Sequence, residues 1–181
     1  MNVEGLDPME IERLADRAAV LRVLYEYAEA LDYGITEQFV GCFTTDATFE
    51  IRIPGPMPPD YPTRGGRLVP GGVRYTGLDE ILEFFRQHTH APGYTHKHVV
   101  TNSIVDVDGD RARCRSYFQR TDASADGQNF VRVYGRYLDE LRKTDGVWRI
   151  AVRVAEPDAL DLREIRTASA VESAHEPAAD R

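Results

Sequence analysis

Asp32, His96 and His98 are the residues whose types and spacing could carry chemistry. Asp32 lies one helical step beyond an apolar series, Ile11, Leu14, Ala18, Leu21, Tyr25 and Ala28, whose 3,4,3,4,3 spacing marks one face of a helix. A carboxylate on a buried stripe must be paired, hydrogen-bonded or held neutral, because an isolated charge is costly in an apolar interior. The alternative is a solvated charge in a frayed last turn before Tyr33-Gly34. His96 and His98 occupy alternate positions of a strand-like segment, Tyr94 to Asn102. Period two puts His96, His98, Val100, Asn102 and Ile104 on one face and Lys97, Val99, Thr101 and Ser103 on the other. Val100 and Ile104 turn the histidine face inward. The pair has three readings: ligands of a metal whose third donor is not evident, a satisfied core or surface pair, or a catalytic base. A carboxylate beside histidine accepts the Nδ1 proton, fixes the tautomer and stabilises the imidazolium formed when Nε2 takes a proton. Without a serine or cysteine nucleophile, such a dyad suits proton abstraction rather than acyl transfer. No nucleophile elbow, P-loop or dinucleotide fingerprint occurs in the sequence.

The elements that must position these residues are legible in outline. Asp7 is a helix N-cap, Pro8 fits the first helical position and Glu10 completes a capping box, so a first helix is expected from Pro8 to Leu31. Thr36 can cap a short second helix through Phe43, and Ala47 to Ile53 alternates as a strand. Residues 54–72 hold six of the ten prolines and read as an irregular loop that is a lid, an oligomer contact or simple surface disorder. A short strand at Arg74 to Thr76 leads into a third helix with Leu78, Ile81, Leu82 and Phe85 on its apolar face. Long strands then follow: Thr95 to Val107, Arg111 to Thr121, Asn129 to Arg142 and Val147 to Ala155, with tight turns at Asp108-Gly109 and Asp145-Gly146. Ala112, Cys114, Ser116 and Phe118 share one face of the second long strand. Helices followed by consecutive antiparallel strands make an α+β domain, expected over residues 1–160, with a polar, disordered tail over 161–181. A curved sheet wrapped on the long helix leaves a hollow, with the end of the apolar stripe inside it.

The chain has 181 residues, 42% hydrophobic and 29% charged, and a net charge of -8, which argues against a nucleic-acid or anionic-membrane partner. No apolar run approaches the length of a membrane span and no signal-peptide pattern opens the sequence, so a cytoplasmic location is expected. Two cysteines, Cys42 and Cys114, suit burial as small apolar residues.

The segments Tyr27 to Asp32, Phe43 to Phe49, His98 to Asn102, Asp108 to Ala112 and Asp145 to Arg153, in that order and spacing, resemble the SnoaL-like family. That family shares a cone-shaped α+β barrel with scytalone dehydratase, ketosteroid isomerase, the bile-acid dehydratase, lindane dehydrochlorinase and nuclear transport factor two. The resemblance covers Glu10 to Glu156 and leaves the Pro-rich loop outside. It implies that Asp32 and His98 are the proton-abstracting dyad of the dehydratase and dehydrochlorinase branch. It implies that Arg153 binds substrate or leaving group, an outward strand charge being the alternative, and that Tyr27 is the polar residue five before the aspartate. Tyr27 lies about 140° from Asp32 around a helix, so both can serve one site only where a pocket wraps the helix end. The second histidine of scytalone dehydratase has no match on the strand from Arg111, where Ser116 and Tyr117 stand instead.

These expectations combine into a cofactor-independent, metal-independent lyase, of dehydratase type, acting on a small hydrophobic cyclic substrate. His98 would take the proton, Asp32 orient it, and Tyr27 or Arg153 stabilise the departing hydroxyl or an enolate. The rivals are an isomerase or polyketide cyclase using the same dyad and a non-catalytic module that binds a ligand or partner chain. A homo-oligomer, trimer or dimer, is implied by the resemblance.

Overall fold

The computed structural model describes residues 7–57, 61–124 and 126–159. Helix α1 spans Pro8–Tyr33, α2 Thr36–Gly41 and α3 Gly77–Arg86; the strands are β1 Phe43–Arg52, β2 Arg67–Val69, β3 Gly72–Thr76, β4 His96–Asp108, β5 Arg111–Ala123, β6 Asn129–Thr144 and β7 Val147–Ala159. They form one seven-stranded sheet in the order β2-β3-β1-β7-β6-β5-β4, antiparallel throughout except where β1 runs parallel to β7. This is the expected α+β cone: a long helix held in a curved sheet, with α2 and α3 beside it. The expected tail, 161–181, lies outside the described residues. Among the described residues, no helix is long and apolar enough to cross a membrane.

Helix α1 starts as its sequence dictates, with Asp7 Oδ1 accepting from the Met9 N–H at 3.0 Å, and ends at Gly34, whose left-handed φ of 71° a side chain would resist. Its buried face differs from the expected stripe. Ile11 is 45% exposed, Leu14 56% and Tyr25 50%, whereas Val20, Leu24, Tyr27 and Leu31 are buried. Residues 7–15 are exposed, and the true stripe lies one residue, about 100°, around the helix. Asp32 is buried all the same, because β4 covers that flank of the last turn. Tyr27 thus faces the hollow and Asp32 faces β4, which reconciles their angular separation. Trp148 Nε1 donates to Asp16 at 2.8 Å and ties the β6–β7 hairpin to the third turn of α1.

The sheet bends through bulges, each inserting an extra residue that kinks one strand. In β4 the register shifts between Thr101 and Ile104, and Asn102 takes a φ of 52°, a left-handed conformation asparagine tolerates. The expected single face therefore splits: His96, His98 and Val100 turn inward, Asn102 and Ile104 outward, and Val105 and Val107 inward beyond the bulge. On β5 the expected face of Ala112, Cys114, Ser116 and Phe118 is buried. Where β6 bends against β7, Gly135 leaves no room for a side chain: a Cβ there would lie 2.1 Å from the Glu156 carbonyl oxygen.

Three smaller expectations shift. Ile35, not Thr36, is the N-cap of α2 and makes no side-chain cap, and the helix ends at Gly41. Strand β1 begins at Phe43, four residues before the expected start, because pairing with β7 recruits Phe43 opposite Ile150. The Pro-rich stretch contains β2, which pairs with β3. His90 closes the helical end of the molecule, its ring nitrogens 2.7 Å from the Leu31 carbonyl oxygen and 2.9 Å from that of Phe85, at the ends of α1 and α3.

Candidate active site

A cavity of about 180 Å³ opens between α1, α3 and the concave face of the sheet. Its walls are chiefly aromatic and aliphatic, with Tyr27 and Leu31 from α1, Phe84 from α3, and Phe49, Phe118 and Tyr137 from the sheet. The Pro-rich stretch contributes Tyr61, Pro62 and Arg64 to the wall. Two histidines, His88 and His98, reach the wall among these apolar groups.

His98 is fixed twice by Asp32. Its backbone N–H donates to Oδ1 at 3.1 Å and Oδ2 at 3.0 Å, and its Nδ1 donates to Oδ1 at 2.6 Å. That bond assigns the N–H to Nδ1 and leaves the Nε2 lone pair for the cavity. Burial lowers the His98 pKa below its ordinary value, with the Asp32 bond opposing, so the ring is a neutral base at neutral pH.

His96 sits beside this pair, fully enclosed, with Nε2 3.4 Å from Asp32 Oδ1 and neither ring nitrogen in a hydrogen bond among the described residues. Burial drives its pKa down to about 4. Asp32 supplies the third donor missing from the sequence reading of a metal site, since its carboxylate and the two rings cluster within 4.8 Å. Asp32 and His98 approach to 2.6 Å, the distance of a strong hydrogen bond, and His96 stands 3.4 Å from the same carboxylate oxygen. His88 completes a histidine cluster, its ring centroid 5.5 Å from that of His98 and 5.2 Å from that of His96. Its Nδ1 donates to the Thr89 carbonyl at 2.8 Å, and burial lowers its pKa well below the ordinary value.

Tyr27 lines the cavity. Burial raises its pKa, so its hydroxyl remains a proton donor at neutral pH. Arg153 lies on β7. It is fully buried but absent from the cavity wall, making two hydrogen bonds to Asp139 at 2.8 and 2.9 Å. Its guanidinium lies between the rings of Tyr27 and Tyr137, 4.0 and 4.3 Å from their centroids. It stands behind the two tyrosines and is not an outward strand charge.

Sequence reasoning missed His88, Arg64, Arg120 and Arg132, all on the wall. The inward parity of β5, carried beyond Phe118, names Arg120 and Asp122. Arg132 could not be found that way, because it is the extra residue of a bulge: Arg120 pairs with Val133 and Thr121 with Val131, and Arg132 falls between them.

Comparison with known proteins agrees with this architecture. No curated protein matches the sequence. Among solved structures, Rv3472 of Mycobacterium tuberculosis, a protein of unknown function, is 28% identical with a TM-score of 0.66, over 88% of this chain and 80% of its own. An NTF2-like protein with a cystatin-like fold from Novosphingobium aromaticivorans is 16% identical with a TM-score of 0.67, over 88% and 96%. A hexachlorocyclohexane dehydrochlorinase, LinA-type3 from Novosphingobium barchaimii, is 17% identical with a TM-score of 0.62, over 83% and 91%. The pattern of the SnoaL-like domain family matches residues 12–154, from the second turn of α1 to the middle of β7, and the chain belongs to that family.

Proposed function

We propose that this protein is a cofactor-independent lyase, of dehydratase type, that removes a C–H proton from a small hydrophobic cyclic molecule. The observation that carries the reading is the 2.6 Å contact of Asp32 with His98 at the edge of an apolar cavity. A neutral imidazole with its N–H held by a carboxylate presents Nε2 as a base, and the surrounding apolar wall suits a ring substrate. In the reaction Nε2 takes the proton, the C–H electron pair forms the new C=C bond, and the leaving hydroxyl departs with a proton as water. Tyr27 is a phenolic donor in the wall that can supply that proton. Arg153 acts by holding Tyr27 and Tyr137 in place.

The structural likeness to a dehydrochlorinase supports an elimination, and family membership supports small-molecule chemistry. Exposed Val99, Ile104, Tyr117 and Tyr134 on β4, β5 and β6 support self-association through the sheet.

The test is turnover of cyclic β-hydroxy carbonyl compounds by the native protein and by His98→Ala. Loss of water from the substrate, abolished in the variant while its circular dichroism is retained, supports the reading. A product of unchanged mass makes the protein an isomerase or cyclase on the same base. Turnover kept within a few fold in His98→Ala overturns the mechanism.

A further inference from the structure

Among the described residues, the charged side chains on the cavity wall are cations, and the buried Asp122 carboxylate backs two of them. Arg64, Arg120 and Arg132 contribute to the wall and, among the described residues, no carboxylate does, although the chain as a whole carries a net charge of -8. Arg120 and Arg132 are built in rather than drifting in from the surface. Their side chains are only 13% and 19% exposed, and both converge on Asp122, whose carboxylate is fully buried. Arg120 donates from Nε to Asp122 Oδ1 at 2.7 Å and from Nη2 to Oδ2 at 3.3 Å and to Thr89 Oγ1 at 3.4 Å. Arg132 Nε donates to Asp122 Oδ2, and its Nη2 donates to the Tyr94 hydroxyl at 3.3 Å. Asp122 thus grips both guanidiniums by their inner edges. Arg120 Nη1 takes no hydrogen bond among the described residues. The bulge at Arg132 serves the same arrangement, because an uninterrupted strand would alternate Arg132 and Val133 between opposite faces.

From this placement we infer that the ligand of the cavity carries an oxyanion, a carboxylate on an apolar ring body, received by Arg120 with Arg132 beside it. Asp122 and Thr89 occupy Nε and Nη2 of Arg120, so a ligand carboxylate accepts from Nη1, and at a wall this dry such a charge-assisted bond is strong. His98 and Arg120 are direct partners across the β4–β5 ladder, so the anion and the C–H to be broken belong to neighbouring parts of one molecule. This placement beside the base rests on the proposed function; recognition of the anion does not. Burial is the main cause of the depressed His98 pKa and the Arg120 charge adds to it, so an anion docked there strengthens the base when substrate arrives.

The experiment uses the full chain and a dye, 1-anilinonaphthalene-8-sulfonate, displaced by 1-naphthoate or by its neutral counterpart 1-naphthamide. Naphthoate is expected to displace the dye at a concentration at least about tenfold lower than naphthamide, the scale of one charge-assisted hydrogen bond. Arg120→Gln should bring the two competitors within about threefold. Arg120→Lys, which keeps the charge without the fork, should retain part of the preference and guards against a folding defect in the glutamine variant. Near-equal displacement by the two competitors, or an undiminished preference in Arg120→Gln, overturns the inference. A preference for inorganic phosphate over naphthoate as competitor overturns the carboxylate assignment. Intact preference for naphthoate with turnover independent of His98 refutes the lyase and upholds the anion site; loss of preference with turnover still dependent on His98 does the reverse.

Discussion

Asp32 holds His98 by ring and backbone at once: Oδ1 accepts from Nδ1 at 2.6 Å and the two carboxylate oxygens accept from the same residue's amide N–H at 3.1 and 3.0 Å. One side chain therefore sets both the path of β4 and the tautomer of the ring. Asp32→Asn keeps the shape and an oxygen for the amide but loses the charge that stabilises an imidazolium. Its kcat/KM is expected to fall by about 10²–10⁴-fold with the fold retained. A fall of less than about threefold would show that the carboxylate serves only the backbone.

The pH profile follows from two shifts. Burial places the His98 pKa below 6.5, so the base stays neutral to lower pH than a free histidine and the acid limb of kcat/KM lies below 6.5. Burial moves Tyr27 above 10, so a phenolic donor survives through the alkaline range. In Asp32→Asn the partner opposing the His98 shift is gone, and the acid limb moves further down. Measured from pH 4 to pH 10, an acid limb at or above 6.5 in the native protein would contradict this assignment.

Much of this architecture is legible in the sequence. The α+β plan follows from one long capped helix and four alternating strands closed by Asp-Gly turns, and at Asp145-Gly146 both residues have positive φ, 52° and 76°, as a primed turn requires. Asp32 and His98 were legible because each breaks an apolar pattern with a group that needs a partner. The face of β4 beyond Val100 was not, because a bulge changes parity without changing composition. The same holds for Arg132, whose inward turn exists only in the pairing of β6 with β5. Ile11 and Leu14 mislead because periodicity reports amphipathicity, not burial.

Stability should also register the enclosed histidines. His96 has its pKa lowered by burial to about 4, with Arg120 and His98 adding to the shift and Asp32 and Asp122 opposing it; His88 and Tyr94 pack against the same ring. The unfolded chain binds this proton near 6.5 and the folded chain only near 4, so the folded state loses stability as pH falls through that window and is unaffected above it. His96→Gln removes the titration. Its melting temperature is expected to fall less than that of the native protein between pH 6.5 and pH 4. Parallel slopes for the two proteins over that window would refute the assignment.

Arg153 and Asp139 provide the sharpest separation of structure from chemistry. They are direct partners across the β6–β7 ladder, both buried, and each satisfies the other's charge. Arg153→Met strands a buried carboxylate and is expected to cost about 3–5 kcal/mol of stability, whereas Arg153→Met with Asp139→Leu removes both charges and should recover more than half of that. Activity should follow the same order, because the guanidinium lies between Tyr27 and Tyr137 and its effect on substrate passes through them. Were Arg153 itself to grip the substrate, the double variant would regain stability and stay inactive. Denaturant unfolding and kcat/KM measured on the same three proteins distinguish a guanidinium that holds the wall from one that touches the ligand.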